Sequence, residues 1–111
     1  MLASLEVADT RAARRQGLLG RDGIEGALWI ERARSVHTIG MRFPIDVAHL
    51  DRDGVVLRTA TMPRNRIGLP VLGARGVLEA EAGAFRHWEL APGQVVEVDL
   101  GTEHHDLAAG S

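Results

Sequence analysis

The sequence contains no cysteine, no tyrosine and no lysine. Without cysteine there is no disulfide framework, no thiol nucleophile and no cysteine-ligated zinc or iron–sulfur cluster, and any redox compartment is compatible. Aromatic residues number four, two Trp and two Phe. With a pI of about 6.2, that leaves little for base stacking or phosphate attraction, so no nucleic-acid partner is expected. No apolar run approaches the roughly 18 residues of a membrane-spanning helix, so none is expected. The opening Met1–Asp9 has neither a positive n-region nor a long apolar stretch and does not read as a secretory signal. A cytoplasmic protein is the resulting expectation. Gly17-Leu18-Leu19-Gly20 lacks the Lys and Ser or Thr of a phosphate loop and the spacing of a dinucleotide fingerprint, so no cofactor is expected. Nor is a metal: His104, His105 and Asp106 are neighbours in sequence and diverge rather than converge.

What is present is enough for one core. A chain of 111 residues with 45% hydrophobic content has the size and composition of a single globular domain. No repeat or linker divides it, and the domain is drawn as residues 1–101 with a flexible tail at 102–111. The basic residues are all arginine. Up to Arg75 there are 12 Arg against 8 acids, and from Gly76 onward 1 Arg against 7. Such asymmetry can mark an anion-attracting face, but these arginines are spread over several elements. Arg11, Arg14 and Arg15 share one helix face by their spacing, which reads first as a solvated face.

Residues Leu2–Ala8 alternate as a strand. Thr10 then caps a short helix over Arg11–Leu19, weakened at its end by Gly17 and Gly20. Ala27–Glu31 reads as a buried strand carrying Trp29. Ser35–Met41 and Ile45–Leu50 read as two extended pieces interrupted at Pro44. Asp51-Arg52-Asp53-Gly54 is a hairpin turn returning into Val55–Thr61. Met62–Ala74 has two prolines, two glycines and little periodicity, and reads as a long loop. Gly76–Glu81 is strand-like, Ala82–Leu90 holds a short helical turn, Ala91-Pro92-Gly93 forms a type II turn, and Gln94–Leu100 is a last strand. Seven short strands with hairpin-like links predict a mainly β, antiparallel sandwich or partly closed barrel with one short N-terminal helix.

Several of these segments resemble one family. Thr10–Arg21 (TRAARRQGLLGR) and Gly26–Ile30 (GALWI) are similar to its helix, its Gly-Leu-Leu step and its next strand. Val36–Asp51 (VHTIGMRFPIDVAHLD) resembles its central signature, in which a Pro-[Ile/Leu]-Asp leads into an apolar strand. Gly54, Val77-Leu78-Glu79 and Pro92-Gly93 follow in order, so the resemblance to the domain of unknown function 192 family runs from Leu5 to Leu100. His37 and Thr38 stand where many members carry Trp-Met, and Gly40 where many carry Asn, so no role of that Asn is carried over. The resemblance implies a compact, jelly-roll-like β-sandwich with the helix at one side. It implies no activity, cofactor or substrate.

Polar residues within apolar strands are the candidates for chemistry. Asp46 and Glu79 would be expensive to bury without a donor, and His37, Arg42, Arg64 or Arg66 could supply one. A histidine and two carboxylates within reach would shift one another's pKa and could do acid–base work. The same set could instead lock strand register as a buried network. Ser35, His37 and Asp46 have the residue types of a hydrolytic triad but lack a Gly-x-Ser-x-Gly elbow. His49 alternates with Val47 and reads as a half-buried or surface residue. The 62–72 loop, with Arg64 and Arg66, is the preferred anion-binding segment.

The leading functional reading is a non-enzymatic binding domain. Its site would comprise His37, Thr38, Met41, Arg42, Asp46, Arg64, Arg66 and Glu79, receiving a small anionic ligand or a protein partner in a pocket lined by Trp29, Met41 or Met62. The alternative is a small enzyme using His37 with Asp46 or Glu79 as acid and base. A third reading, which rests on the resemblance, is an accessory module of secretion or envelope machinery. A monomer or weak dimer is expected.

Overall fold

The computed structural model describes residues 3–99 and 106–110. Seven strands form one mixed sheet: β1 (Ala3–Ala8), β2 (Ala27–Glu31), β3 (Ile45–Leu50), β4 (Val56–Met62), β5 (Gly76–Glu81), β6 (Val95–Asp99) and β7 (Asp106–Gly110), with helices α1 (Arg11–Gln16) and α2 (Ala84–His87). The order across the sheet is β4-β3-β5-β2-β1-β7-β6. The mainly β expectation holds, but the sheet is not wholly antiparallel, because β1 and β2 pair in parallel. Parallel neighbours need a crossover, and α1 with the segment after it provides one. The seventh strand also differs from expectation. Ser35–Met41 forms no strand, only a bridge from His37 to Ile67, since its backbone groups bond to Asn65, Arg66 and Gly68 instead. Residues 106–110, assigned from sequence to the tail, pair with β1 and β6.

The sheet is not closed. Its two end strands meet at one bridge, Val55 to Val95, supported by hydrogen bonds from Val56 N to Gln94 O and from Gly93 N to Val56 O, both 2.8 Å. Gly54 permits this approach: its φ is +83°, and a Cβ there would collide with the Val96 carbonyl. Six strands send residues into one apolar cluster on the inner face, where Ala27, Ala48 and Ala80 leave room for Phe85 and Leu90 from the α2 segment. The other face carries a second cluster around Ile30, Ile45, Val47 and Val77, roofed by Leu18, Ile24, Val36, Met41 and Phe43 from the connections. Each such buried aliphatic or aromatic side chain stabilises the fold by roughly 1.5–3 kcal/mol.

The central strands are therefore buried on both faces, β3 along its whole length. Asp46 lies on the inner face of β3 and is 3% exposed. The helix α2 has no side-chain cap of its own, because Gly83 is its N-cap. Asp46 supplies the acceptor from across the fold: Oδ2 accepts from the Gly83 and Phe85 amides at 3.0 and 3.1 Å, and Oδ1 from the Thr61 hydroxyl at 2.6 Å. A carboxylate holding three donors meets the usual requirement for a buried charge. Asp46→Ala is expected to cost about 3–5 kcal/mol in urea unfolding. Asp46→Asn, which keeps an acceptor for the α2 amides, should cost less than half of that. Equal losses would show that the cap does not depend on the oxygen.

Candidate functional site

Strand alternation decides which polar residues can meet. Asp46 pairs in register with Ala80, and Val47 with Glu79, so adjacent side chains along each strand leave on opposite faces. Asp46 joins the inner face with Phe85, whereas Glu79 lies on the outer face beside Leu28, Val47 and Val77, all members of the second cluster. The cluster of His37 with both carboxylates, considered as a network or an acid–base set, therefore does not assemble, because Asp46 leaves on the face opposite Glu79. None of the arginines proposed as donors reaches either carboxylate. Arg42 pairs with Asp22 at 3.0 Å on the surface, and Arg64 and Arg66 are exposed in the loop after β4.

Glu79 is the unusual group. It is 3% exposed, and its Oε1 is buried with no hydrogen-bond partner among the described residues. Burial pushes its carboxyl up to about 7, because the low-dielectric surroundings penalise the charged form and no donor or cation offsets that. It lines a pocket of about 90 Å³ between α1 and the 33–41 segment. The pocket walls include Leu18, Ile30, Val36 and Met41, while Arg14, Arg15, Ser35 and His37 contribute its polar groups. The local sequence explains the geometry. Thr10 accepts from the Ala13 amide at 3.0 Å to start α1. Gly17 ends the helix three residues earlier than its pattern predicts, at a φ of +51°. A Cβ at Gly17 would lie 3.4 Å from Glu79 Oε1, so the turn after α1 packs directly on the carboxyl.

Thr38 organises the neighbouring wall. Fully buried, it donates its hydroxyl to the Pro63 carbonyl at 2.6 Å and accepts from the Arg66 amide at 2.8 Å. It clasps the 33–41 segment to the loop after β4 and does not line the pocket itself. His37 beside it is exposed and lines the pocket with Glu79. Ser35 is also exposed, and no hydrogen bond joins the Ser35, His37 and Glu79 side chains. Trp29 stands on the inner face, with its indole over Gly76. His104 and His105 lie outside the described residues. Among those that are described, no group of three His, Cys, Asp or Glu side chains is placed to hold a metal. No helix of the described residues is long and apolar enough to cross a membrane.

One strand residue departs from the half-buried or surface position that its sequence suggests. His49 is buried, at 7% exposure, and neither ring nitrogen makes a well-formed hydrogen bond among the described residues, the Arg34 backbone being the one polar group within reach of the ring. Burial lowers its pKa, Arg58 adds to the effect, and the Arg34 backbone opposes it in part. The signal was its phase: His49 alternates with Ile45 and Val47, which are core residues of one face.

A family model for DUF192, described as an uncharacterized ACR, matches residues 2–98. No curated protein matches the chain. A crystal structure of a protein of unknown function from Novosphingobium aromaticivorans DSM 12444 is similar at 25% identity and a TM-score of 0.70, covering 80% of this chain and 70% of that one. A protein from Sinorhizobium meliloti 1021, named as a candidate transcription regulator, matches at 18% identity and a TM-score of 0.70, covering 95% of this chain and 80% of its own. That second likeness speaks to the fold alone.

The pKa of Glu79 has a consequence for stability. Its folded value of about 7 lies above its ordinary 4.5, so the native state holds a proton that the unfolded chain releases first. Stability from this group is complete below 4.5 and is lost as pH rises through 7. Glu79→Gln removes the dependence. Relative to wild type, its unfolding free energy is expected to rise by about 2–3 kcal/mol between pH 5 and pH 8.5, measured by urea denaturation at both values. A constant difference would mean that Glu79 titrates normally.

Proposed function

The chain belongs to the uncharacterised DUF192 family, and within it we propose that this domain is a non-enzymatic binding module whose ligand docks on Glu79. The observation that carries this reading is the unpartnered Glu79 carboxyl at a pocket that also holds Arg14, Arg15 and His37. A buried acceptor without a donor costs about 1–3 kcal/mol. Asp46, on the same sheet, has three donors, so the fold can satisfy a carboxylate, and a ligand is the natural missing donor for Glu79. The pocket's 90 Å³ is smaller than the roughly 150 Å³ of a cavity that holds benzene. The ligand therefore inserts only a few atoms. A hydroxyl or similar donor binds Glu79, and a small anionic group meets the arginines. A short hydroxy acid has this chemistry. A cytoplasmic monomer or weak dimer goes with this reading.

An acid–base enzyme is the second reading. It is favoured by a Glu79 pKa of about 7, which suits proton transfer at neutral pH. The absence of any hydrogen bond linking Glu79 to Ser35 or His37 makes binding the better supported of the two. The Sinorhizobium protein shares only 18% identity with this chain, and a net charge of -2 gives no general attraction to nucleic acid.

Glycolate titrated into the 15N-labelled protein at pH 8 tests the reading. Saturable shifts of the Gly17 and Leu18 amides are expected, weakened at least tenfold in Glu79→Gln and in the double variant Arg14→Ala/Arg15→Ala. Acetate, which lacks the hydroxyl, should bind more weakly. Absence of saturation, or unchanged affinity in Glu79→Gln, would count against a Glu79 site.

A further inference from the structure

The outer face of the β3–β4 pair carries a second concavity, separate from the Glu79 pocket. In register, Val47 faces Ala60 and His49 faces Arg58. The loop after β4 arches over this face and leaves a slot of about 290 Å³. The loop is anchored on its other side. Gly68 N donates to Val36 O at 2.7 Å, Val71 N to Arg34 O at 3.0 Å, and Thr38 holds Pro63 and Arg66. The side facing β4 is thereby left open.

We propose that this slot is a ligand site for a short-chain carboxylate, with its head between His49, Arg58 and Arg66 and its alkyl tail along Met62, Ile67 and Leu69. Three independent features carry the assignment. The first is His49, more than nine-tenths buried and lining the slot, whose ring nitrogens make no well-formed hydrogen bond among the described residues and have only the Arg34 backbone within reach. A buried imidazole without partners is costly, and the neutral ring favoured by its burial offers an N–H to an incoming oxygen. The second is charge: Arg58 and Arg66 line the slot, no acidic residue does, and neither arginine forms an ion pair among the described residues. The third is the apolar mouth. Ile67 and Leu69 are 75% and 74% exposed, an unfavourable arrangement in water that an alkyl chain would relieve. The volume is at the lower end for small-molecule pockets, about 300 Å³, and suits a chain of about six carbons. A polar end group alone would leave the apolar mouth uncovered, and a cation would meet two guanidinium groups.

Hexanoate binding to the full chain, followed by 1H–13C NMR at the Ile67 and Leu69 methyls and the His49 ring, tests the proposal. Saturable shifts at all three positions are expected. Hexanol and hexylammonium should bind at least tenfold more weakly. Arg58→Ala/Arg66→Ala, which changes only exposed side chains, should weaken hexanoate at least tenfold while leaving the thermal midpoint in place. Glu79→Gln should leave hexanoate affinity unchanged, which separates this site from the one at Glu79. Three results would each overturn the assignment: no saturation at these probes, hexanol binding as tightly as hexanoate, or full affinity in the arginine double variant. Loss of hexanoate binding in Glu79→Gln would overturn it too, by locating the ligand elsewhere.

Discussion

Burial of the central strands on both faces is the constraint from which the rest follows. In most antiparallel sheets one face meets water, and a charged side chain can be placed there at little cost. Here the inner face is filled by α2 and the curled edge strands, and the outer face by the connections around Leu18, Met41 and Phe43. Every polar residue on β3 or β5 before Glu81 is consequently inside. Asp46, His49 and Glu79 are all buried, and each must find partners in the fold or carry an unmet requirement.

The three residues meet that constraint differently. Asp46 is fully integrated: it caps a four-residue helix that could not form its own cap and ties β4 to the same oxygen pair. Glu79 and His49 lack such partners, and each lines a concavity on the outer face. The same surface that roofs the second core thus leaves two openings, one beside the α1 turn and one beneath the loop after β4. The Thr38 clasp lies between them and sets the position of both walls, since the 33–41 segment borders the first opening and the loop borders the second.

Much of this was legible in the sequence. The hairpin at Asp51–Gly54, the Pro92-Gly93 turn, β2 and β5 follow from turn chemistry and apolar patterning, because those signals are local. The parallel β1–β2 pair was not legible, since the crossover helix is only six residues long and its tertiary role leaves no local trace. Asp46 and Glu79 stand out in the sequence as polar residues within apolar strands, and both are buried. Their separation onto opposite faces was hidden because register between β3 and β5 depends on pairing residues 26 to 36 positions apart. His49 was read as peripheral for a related reason: alternation with apolar neighbours marks a face but does not say that a distant loop will cover it.

The central claim is that Glu79 is a buried carboxyl at the floor of a pocket, without a donor, and its proton affinity reports this most directly. A 13C NMR titration of the Glu79 carboxyl in the unliganded protein measures it. The account predicts a midpoint near 7, as burial dictates. A midpoint at or below the ordinary 4.5 would mean that a cation or donor already satisfies the group, and the argument for a ligand at this pocket would fail.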